Sequence, residues 1–254
     1  EYNSLFKMVS MQKEWFENWF DTEYYHHLYQ NRSDREAEEF VKRLILLFKP
    51  KPNETLLDLA CGKGRHSIAF SEFQLDVSGV DLSKESIAIA KKAEKDNLHF
   101  FVHDMRKVFR TNYYEYVCNL FTSFGYFRNE RENVLAARSI FQALKPGGVF
   151  IIDFVNRNHA IQNITRNKEE TIIRDRVSFH VKRSYTPKKF LKDIFIQDGN
   201  QSFHFQESVN SFTLAEMQHL FTAVGLTLKS TYGSYDLGAY DEEHSPRMIL
   251  QFEK

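Results

Sequence analysis

Between residues 55 and 154, short apolar runs alternate with segments of helical periodicity, and this alternation is the strongest constraint on the fold. Strands joined through helices of this length form a parallel sheet with right-handed crossovers. A chain of 254 residues is long enough to bury such a sheet within one domain. We therefore predict an α/β fold with strands at Thr55–Leu59, Leu75–Val80, Leu98–His103, Tyr116–Phe121 and Val149–Phe154.

Three flanking segments complete the predicted domain. Residues 1–52 are rich in aromatic side chains at helical spacing and are expected to form an N-terminal helical lid. After Asn156 the helical segments stop, and residues 157–211 alternate apolar and polar side chains, as an antiparallel β insertion does. Its expected strands are Thr171–Tyr185, Phe190–Gln197 and Gln201–Ser211. Residues 212–254 add a helix and two strands, which together with residues 53–156 form the core of a single domain.

The stretch Leu56–Gly64 is typical of an apolar strand that enters a glycine-rich turn before a helix. Gly62 and Gly64 lack Cβ atoms, so a ligand can approach the backbone closely at this turn. The amides at the start of the next helix can hold a carboxylate or a phosphate. Asp58 places a hydrogen-bond acceptor beside the turn. Glycine pairs also occur in ordinary strand–helix turns that bind no ligand. Residues elsewhere in the chain are therefore needed to show whether this turn belongs to a binding site.

Polar residues follow each of the first four predicted strands. Asp58 ends the first strand, Asp81 the second, Asp104 with Met105 the third, and Asn119 the fourth. Because ligands of open parallel sheets bind at the carboxyl ends of the strands, we expect these residues to form one site. A carboxylate after the second strand can accept both hydroxyls of a ribose. After the third strand, Asp104 offers a polar partner to the edge of an adenine ring. Met105 offers an apolar contact to the face of that ring.

Two nucleotide ligands fit this arrangement, a nicotinamide dinucleotide and an S-adenosyl nucleoside. The dinucleotide turn prefers a third small residue in the pattern G-x-G-x-x-G/A. Here the turn reads Gly62-Lys-Gly-Arg-His-Ser67, and the serine weakens the dinucleotide interpretation without excluding it. Asp58, four residues before Gly62, is better explained by the D-x-x-x-G-x-G turn that holds the aminoacyl end of S-adenosylmethionine.

Motifs along the chain together resemble those of the class I S-adenosylmethionine-dependent methyltransferases: DLACGKGRHS, GVDLS, HDMR, NLFTSFGY and LKPGGVFIIDF. The resemblance is close over about residues 54–155 and looser over residues 213–252. It implies a Rossmann-like seven-stranded sheet flanked by helices, with the last strand antiparallel. It also implies S-adenosyl-L-methionine as the cofactor and in-line displacement at its sulfonium methyl.

The resemblance also implies a set of cofactor-binding residues. With both glycines of the turn, the set is Tyr25, Arg32, Asp58, Ala60, Gly62, Gly64, Asp81, Leu82, Asp104, Met105, Asn119 and Phe121. Residues 58, 60 and 62 would line the methionine end, 81 would bind the ribose, 82, 104 and 105 would surround the adenine, and 119–121 would pass beneath the methyl donor. Tyr25 and Arg32 belong to the aromatic N-terminal segment, which would close over the cofactor, and Arg32 could pair with its carboxylate.

The catalytic residues cannot be singled out from the sequence. An amine acceptor must arrive deprotonated and a hydroxyl usually needs a base, so Tyr25, His26, His27 and His204 are candidates for accepting the proton. No metal site is expected, because no Cys–His cluster with the spacing of zinc ligands occurs.

The acceptor class follows from weaker signals. Members of this superfamily that methylate nucleic acid bases often carry N/D-P-P-Y/F after the fourth strand, whereas Asn119-Leu-Phe-Thr122 has no proline. The formal net charge is zero, although residues 157–192 carry ten Lys/Arg against three Asp/Glu. We therefore predict methyl transfer to a small-molecule N or O nucleophile and consider nucleic acid an improbable partner. RNA or protein methylation, and cofactor binding without catalysis, are the alternatives.

Cysteine usage and hydropathy suggest the compartment. Only Cys61 and Cys118 occur, which excludes a disulfide framework and favours a reducing cytoplasm. No apolar run approaches the roughly 20 residues of a membrane span, so no membrane partner is expected. The sequence leaves the oligomeric state open.

Overall fold

The computed structural model describes residues 19–30 and 34–254 of the chain. Its elements in chain order are α1 (Glu23–Leu28), α2 (Asp34–Phe48), β1 (Thr55–Leu59), α3 (Arg65–Ser71), β2 (Asp76–Asp81), α4 (Lys84–Ala90), β3 (Leu98–Val102), β4 (Tyr114–Asn119), α5 (Glu130–Ala143), β5 (Leu144–Val155), α6 (Arg157–Arg166), β6 (Glu169–Arg174), β7 (Val177–Tyr185), β8 (Lys189–Asp198), β9 (Gln201–Asn210), α7 (Leu214–Thr222), β10 (Thr227–Tyr232) and β11 (Arg247–Glu253). A short 3₁₀ turn, Lys91–Ala93, follows α4.

A seven-stranded sheet forms the centre of the molecule, in the order β10-β11-β5-β4-β1-β2-β3. The final strand β11 runs antiparallel to both of its neighbours, whereas β1 to β5 pair in parallel. This topology confirms the predicted Rossmann-like sheet with an antiparallel last strand. In the register, Asp58 pairs with Gly79 and Asp81 with Val102, so the carboxyl ends of β1, β2 and β3 meet at one edge.

The sheet is buried on both faces, as parallel sheets with crossover helices are. Along β1, Leu57 and Leu59 face an apolar cluster that includes helices α5 and α7. Leu56, on the opposite face of the strand, contacts a second cluster formed with α2 and α3, where Phe40 and Phe70 are fully enclosed. These two apolar clusters hold the sheet in place, and with it the carboxyl edge at which Asp58, Asp81 and Asp104 lie.

The β insertion differs from its prediction in two respects. The expected single strand Thr171–Tyr185 is two strands, β6 and β7, because the chain reverses at Asp175, whose φ of +52° is left-handed. Helix α6, at the start of the insertion, was not predicted: it is short and mostly polar, and among its residues only Ile164 is buried. Asn156 caps this helix by accepting a hydrogen bond from the backbone N–H of Asn158. Strands β6 to β9 form a separate antiparallel sheet in sequential order.

The N-terminal segment packs against the insertion. Trp19 and Leu28 are buried in a third apolar cluster with Phe179, Val181 and Ile194 of the inner face of the four-stranded sheet. Residues 19–30 and the insertion therefore form one layer beside the core. The earlier part of the predicted lid and Arg32 lie outside the described residues. None of the helices within the described ranges is long and apolar enough to cross a membrane.

Candidate active site

A cavity of about 620 Å³ opens where the carboxyl edge of the large sheet meets the layer formed by α1 and the insertion. Among the twelve predicted cofactor-binding residues, those that line it are Tyr25, Ala60, Gly62, Asp81, Leu82, Asp104, Met105 and Phe121. The structure thus brings residues from α1 and from the ends of β1 to β4 to a single cavity, as the strand-end argument requires. Gly64, Asp58 and Asn119 lie behind its surface.

The glycine turn after β1 has a left-handed backbone. Ala60, Gly62 and Gly64 have φ angles of +58°, +56° and +85°. A Cβ atom at Gly64 would come within 2.5 Å of the Phe100 ring, so glycine here allows the start of α3 to pack closely on β3. Gly62 lines the cavity, and a Cβ atom there would meet no protein atom within 4 Å, so within the protein it is the left-handed φ that favours glycine at this position.

Asp81 joins this turn to the end of β2. One carboxylate oxygen accepts the backbone N–H of Gly62 at 2.9 Å, and the other accepts that of Ser83 at 2.8 Å. Burial raises the pKa of Asp81 above its ordinary value, although both backbone hydrogen bonds favour the ionised form. The carboxylate is therefore oriented from two sides at the cavity wall.

Asp58 and Asn119 connect neighbouring strands beneath the cavity. Asp58 is 1% exposed and accepts a 2.6 Å hydrogen bond from the Ser67 hydroxyl. Burial raises its pKa to about 7, and the nearby Asp81 charge adds to this effect. The Asn119 side chain donates to the Leu59 carbonyl at 3.0 Å. Whether either contributes to ligand binding stays a prediction.

Asp104 is held in a local ion pair at the end of β3. The Arg106 guanidinium contacts both of its carboxylate oxygens and also reaches Glu132. Although burial would raise the pKa of Asp104, Arg106 holds it below its usual value. Met105 lies beside it in the cavity wall. This corner offers a fixed negative group next to an apolar surface.

The loop after β4 is strained at the cavity wall. Phe121 and Thr122 have φ angles of +61° and +56°, which non-glycine residues rarely adopt. The carboxylate of Asp153, at the end of β5, accepts the Phe121 N–H at 2.8 Å and Arg247 Nε at 2.7 Å. Arg247 also donates to the Thr122 hydroxyl at 2.8 Å. Asp153 was missed in the sequence, although it follows an apolar strand just as Asp58 and Asp81 do.

The insertion contributes a pair of charged residues, Glu207 and Lys192, to the cavity wall. Glu207 on β9 accepts hydrogen bonds from Trp19 Nε1 at 2.8 Å and from the Tyr29 hydroxyl at 2.7 Å, and it pairs with Lys192 on β8 at 3.1 Å. Burial would raise the pKa of Glu207, but Lys192 and these donors hold it below its usual value. Glu207 and Lys192 were not predicted from the sequence, where the available signal is charge at inward-facing positions of strands whose other inward residues are apolar.

The candidate bases divide between the cavity and the surface. Tyr25 and His26 line the cavity. His27 instead pairs with Asp175 at 3.0 Å, and His204 contacts Asp193 at 2.9 Å while stacking on Phe195. A catalytic role for any of the four stays a prediction. Within residues 19–30 and 34–254, no group of three or more His, Cys, Asp or Glu side chains is arranged to hold a metal ion.

Comparison with known proteins identifies the family. A family model described as a methyltransferase domain matches residues 50–211. A dTDP-3-amino-3,4,6-trideoxy-alpha-D-glucopyranose N,N-dimethyltransferase of Streptomyces venezuelae is 28% identical over 189 residues, covering 70% of this chain and 78% of that protein. A cypemycin N-terminal methyltransferase of a Streptomyces species is 26% identical over 191 residues, covering 74% of this chain and 78% of that one.

The fold comparison agrees. The crystal structure of an S-adenosylmethionine-dependent methyltransferase from Clostridium acetobutylicum ATCC 824 matches with a TM-score of 0.75 at 16% identity, over 91% of this chain and 95% of that one. The chain belongs to the methyltransferase domain family and is an S-adenosylmethionine-dependent methyltransferase. The dinucleotide interpretation is therefore set aside. The cavity suits this cofactor, since an oriented carboxylate, an apolar corner and a left-handed glycine turn share its wall.

Proposed function

We propose that the protein transfers the methyl group of S-adenosylmethionine to an amine nitrogen of a small molecule. The observation that carries this proposal is the cavity itself, which is lined both by predicted cofactor residues and by Lys192 and Glu207 of the insertion. Lid and insertion pack together over this space, which suits an acceptor that is enclosed rather than one that extends along a surface.

The cofactor side has a proposed residue for each part of the nucleoside. Asp81 would hold the ribose hydroxyls, Leu82 and Met105 would contact the adenine, and Gly62 would allow the methionine end to approach the backbone. When bound, S-adenosylmethionine supplies an electrophilic methyl group on a sulfonium sulfur. The chain supplies orientation and exclusion of water, to which Tyr25 of α1 contributes an aromatic wall.

The nitrogen is supported by the name of the Streptomyces venezuelae relative, which is an N,N-dimethyltransferase. The same name gives a dTDP-linked amino-hexopyranose, a small polar molecule, as the amine carrier of that relative. The basic stretch of the insertion gives little support to a nucleic acid substrate, since Lys182, Arg183 and Lys192 pair with carboxylates of the same sheet. The cytoplasmic setting stays a prediction.

A turnover assay with paired acceptors tests the proposal. The protein is incubated with S-adenosylmethionine and matched amine and alcohol pairs, such as amino sugars and the parent sugars, and S-adenosylhomocysteine release is measured. We expect release above background with amines and not with their hydroxyl counterparts. If S-adenosylhomocysteine is released with the alcohols alone, the acceptor atom is an oxygen and the proposal of a nitrogen acceptor is wrong. Cofactor binding without release from any acceptor in a metabolite extract would favour a non-catalytic binding protein.

A further inference from the structure

Lys192 and Glu207 form the ion pair through which the insertion faces the cavity. They are directly paired in the antiparallel register of β8 and β9, and both line the cavity wall. The other register neighbour of Lys192 is Arg183, which pairs instead with Glu170. Lys192 is thus the cation that neutralises Glu207, and the pair forms a balanced charged group within an otherwise largely apolar face.

The carboxylate of Glu207 has acceptor capacity beyond its present contacts. An ionised carboxylate offers about four lone-pair positions. Oε1 accepts from Trp19 and from Tyr29, whereas Oε2 is approached by Lys192 at 3.1 Å. Oε2 therefore has one position left among the contacts of the described residues. Because the pKa of Glu207 is held below its usual value, this oxygen is anionic at neutral pH.

Aromatic rings surround the same part of the cavity. We call Phe20, Tyr25, Tyr29 and Tyr126 the aromatic box; all four line the cavity. Phe20 meets Tyr126 edge to face with centroids 5.4 Å apart and meets Tyr25 at 5.0 Å, and Tyr25 lies 5.0 Å from Tyr29. Lys192 Nζ donates to the Tyr29 hydroxyl and lies 4.9 Å from the centroid of that ring, so a cation is already held at this wall.

We infer that Glu207 and the aromatic box form a subsite for an aliphatic ammonium group of the acceptor. This inference rests on the proposed function and names its substrate class: a primary or secondary aliphatic amine that enters as a cation and must give up one N–H proton, to Glu207 or to a water molecule, before its nitrogen attacks the methyl group. The ammonium would donate to Oε2 of Glu207 while the ring faces surround its carbon atoms. A neutral hydroxyl would gain neither the ionic contact nor the cation–π attraction. Lys192 would compete with the ligand for the same carboxylate.

Equilibrium binding of a simple probe tests this subsite separately from methyl transfer. The probe is cyclohexylammonium chloride, its neutral counterpart is cyclohexanol, and both are titrated calorimetrically into the protein loaded with S-adenosylhomocysteine. We expect the ammonium to bind at least tenfold more tightly than the alcohol. Glu207→Gln should remove most of this preference and leave the affinity for S-adenosylhomocysteine unchanged. Glu169→Gln, at an exposed carboxylate of the same sheet, should change neither affinity.

Lys192→Met provides a test in the opposite direction. It keeps the aliphatic stem and removes the competing cation, so ammonium binding should strengthen several-fold, a gain that structural damage would not produce. The inference is overturned if wild-type protein binds amine and alcohol equally, or if folded Glu207→Gln keeps the preference. It is also overturned if Glu207→Gln weakens S-adenosylmethionine but not S-adenosylhomocysteine, because the carboxylate would then serve the sulfonium. If Glu207→Gln does not fold, unchanged or weaker binding in Lys192→Met overturns it.

The two proposals fail in distinguishable ways. Loss of methyl transfer to every amine, with cyclohexylammonium binding intact, would contradict the proposed function and leave the subsite standing. Methyl transfer to amines, with no preference for the ammonium probe, would contradict the subsite alone.

Discussion

The backbone N–H of Gly62 donates a 2.9 Å hydrogen bond to the carboxylate of Asp81, which fixes the turn after β1 to the end of β2. The second oxygen of Asp81 accepts the Ser83 N–H at 2.8 Å. Two motifs that are separate in the sequence thereby form one wall of the cavity. The first prediction concerns this carboxylate.

Asp81→Ala should lower the affinity for S-adenosylmethionine by about 1–3 kcal/mol, because hydrogen bonds to a charged acceptor are lost. Asp81→Asn keeps one acceptor oxygen and should lose less. Calorimetric titration measures both, and Asp76→Ala, at the opposite end of β2, is the control that should bind as the wild type does. An unchanged affinity in Asp81→Ala would remove our assignment of the ribose site.

Asp58 should make the stability depend on pH. Burial raises its pKa from 3.8 to about 7 in the folded protein, against the opposing hydrogen bond from Ser67. The native state therefore holds this proton more tightly than the unfolded state, so Asp58 lowers the free energy of unfolding progressively between about pH 4 and pH 7. Above pH 7 the loss levels off, at no more than about 4 kcal/mol.

Urea unfolding of the wild type and Asp58→Asn between pH 5 and pH 8 isolates this contribution. The stability of the wild type relative to the variant should fall as the pH rises and then become constant. A difference between the two proteins that does not change with pH in this window would show that Asp58 titrates normally.

Arg247→Met should destabilise the protein by about 3–5 kcal/mol, because it leaves the buried Asp153 carboxylate without its cation. Guanidinium unfolding measures the loss. The double variant Asp153→Asn with Arg247→Met carries neither charge and should recover part of the stability. If the loss of unfolding free energy in the double variant equals the sum of the losses in Asp153→Asn and in Arg247→Met, the two residues act through packing rather than through charge.

Asp21 should retain the cofactor by holding the N-terminal segment to the core. Its carboxylate accepts the Ser83 hydroxyl at 2.8 Å and the Glu85 N–H at 3.1 Å, at the start of α4. Asp21→Ala removes these hydrogen bonds and should destabilise the packing of the N-terminal segment on the core by about 1 kcal/mol. This corresponds to roughly fivefold faster cofactor release. Stopped-flow Trp fluorescence measures the rate. Glu23→Ala, on exposed α1 surface, is the control, and equal rates in both variants would contradict this role for Asp21.

The sheet could be predicted because its signals are local. Strand β1 has the predicted bounds, Thr55–Leu59, since a short apolar run between a polar segment and a glycine turn has few other solutions. The reversal at Asp175 was missed because β6 and β7 continue the same alternation on both sides of it. Helix α6 was missed because it is short and mostly polar, so it merges in sequence with the alternating segment that follows it. The division of the chain into lid, core and insertion stays a prediction.

The site could be predicted only where it follows the strand ends. Asp81 and Met105 line the cavity because parallel strands end together at one edge. Asp58 has the same sequence context, yet its side chain is buried against Ser67, and the sequence does not give the side-chain direction near the end of a strand. Glu207 depends on how a distant sheet docks on the core, which no local pattern encodes.

Transfer of a ¹³C-labelled methyl group tests the central claim most directly. The protein is incubated with methyl-labelled S-adenosylmethionine and a mixture of amino sugars and short aliphatic amines, and the products are examined by carbon NMR. We predict new N-methyl resonances that depend on the protein and disappear in Asp81→Ala at limiting cofactor. Label found only in O-methyl groups, or label that stays entirely in the cofactor, would contradict the account.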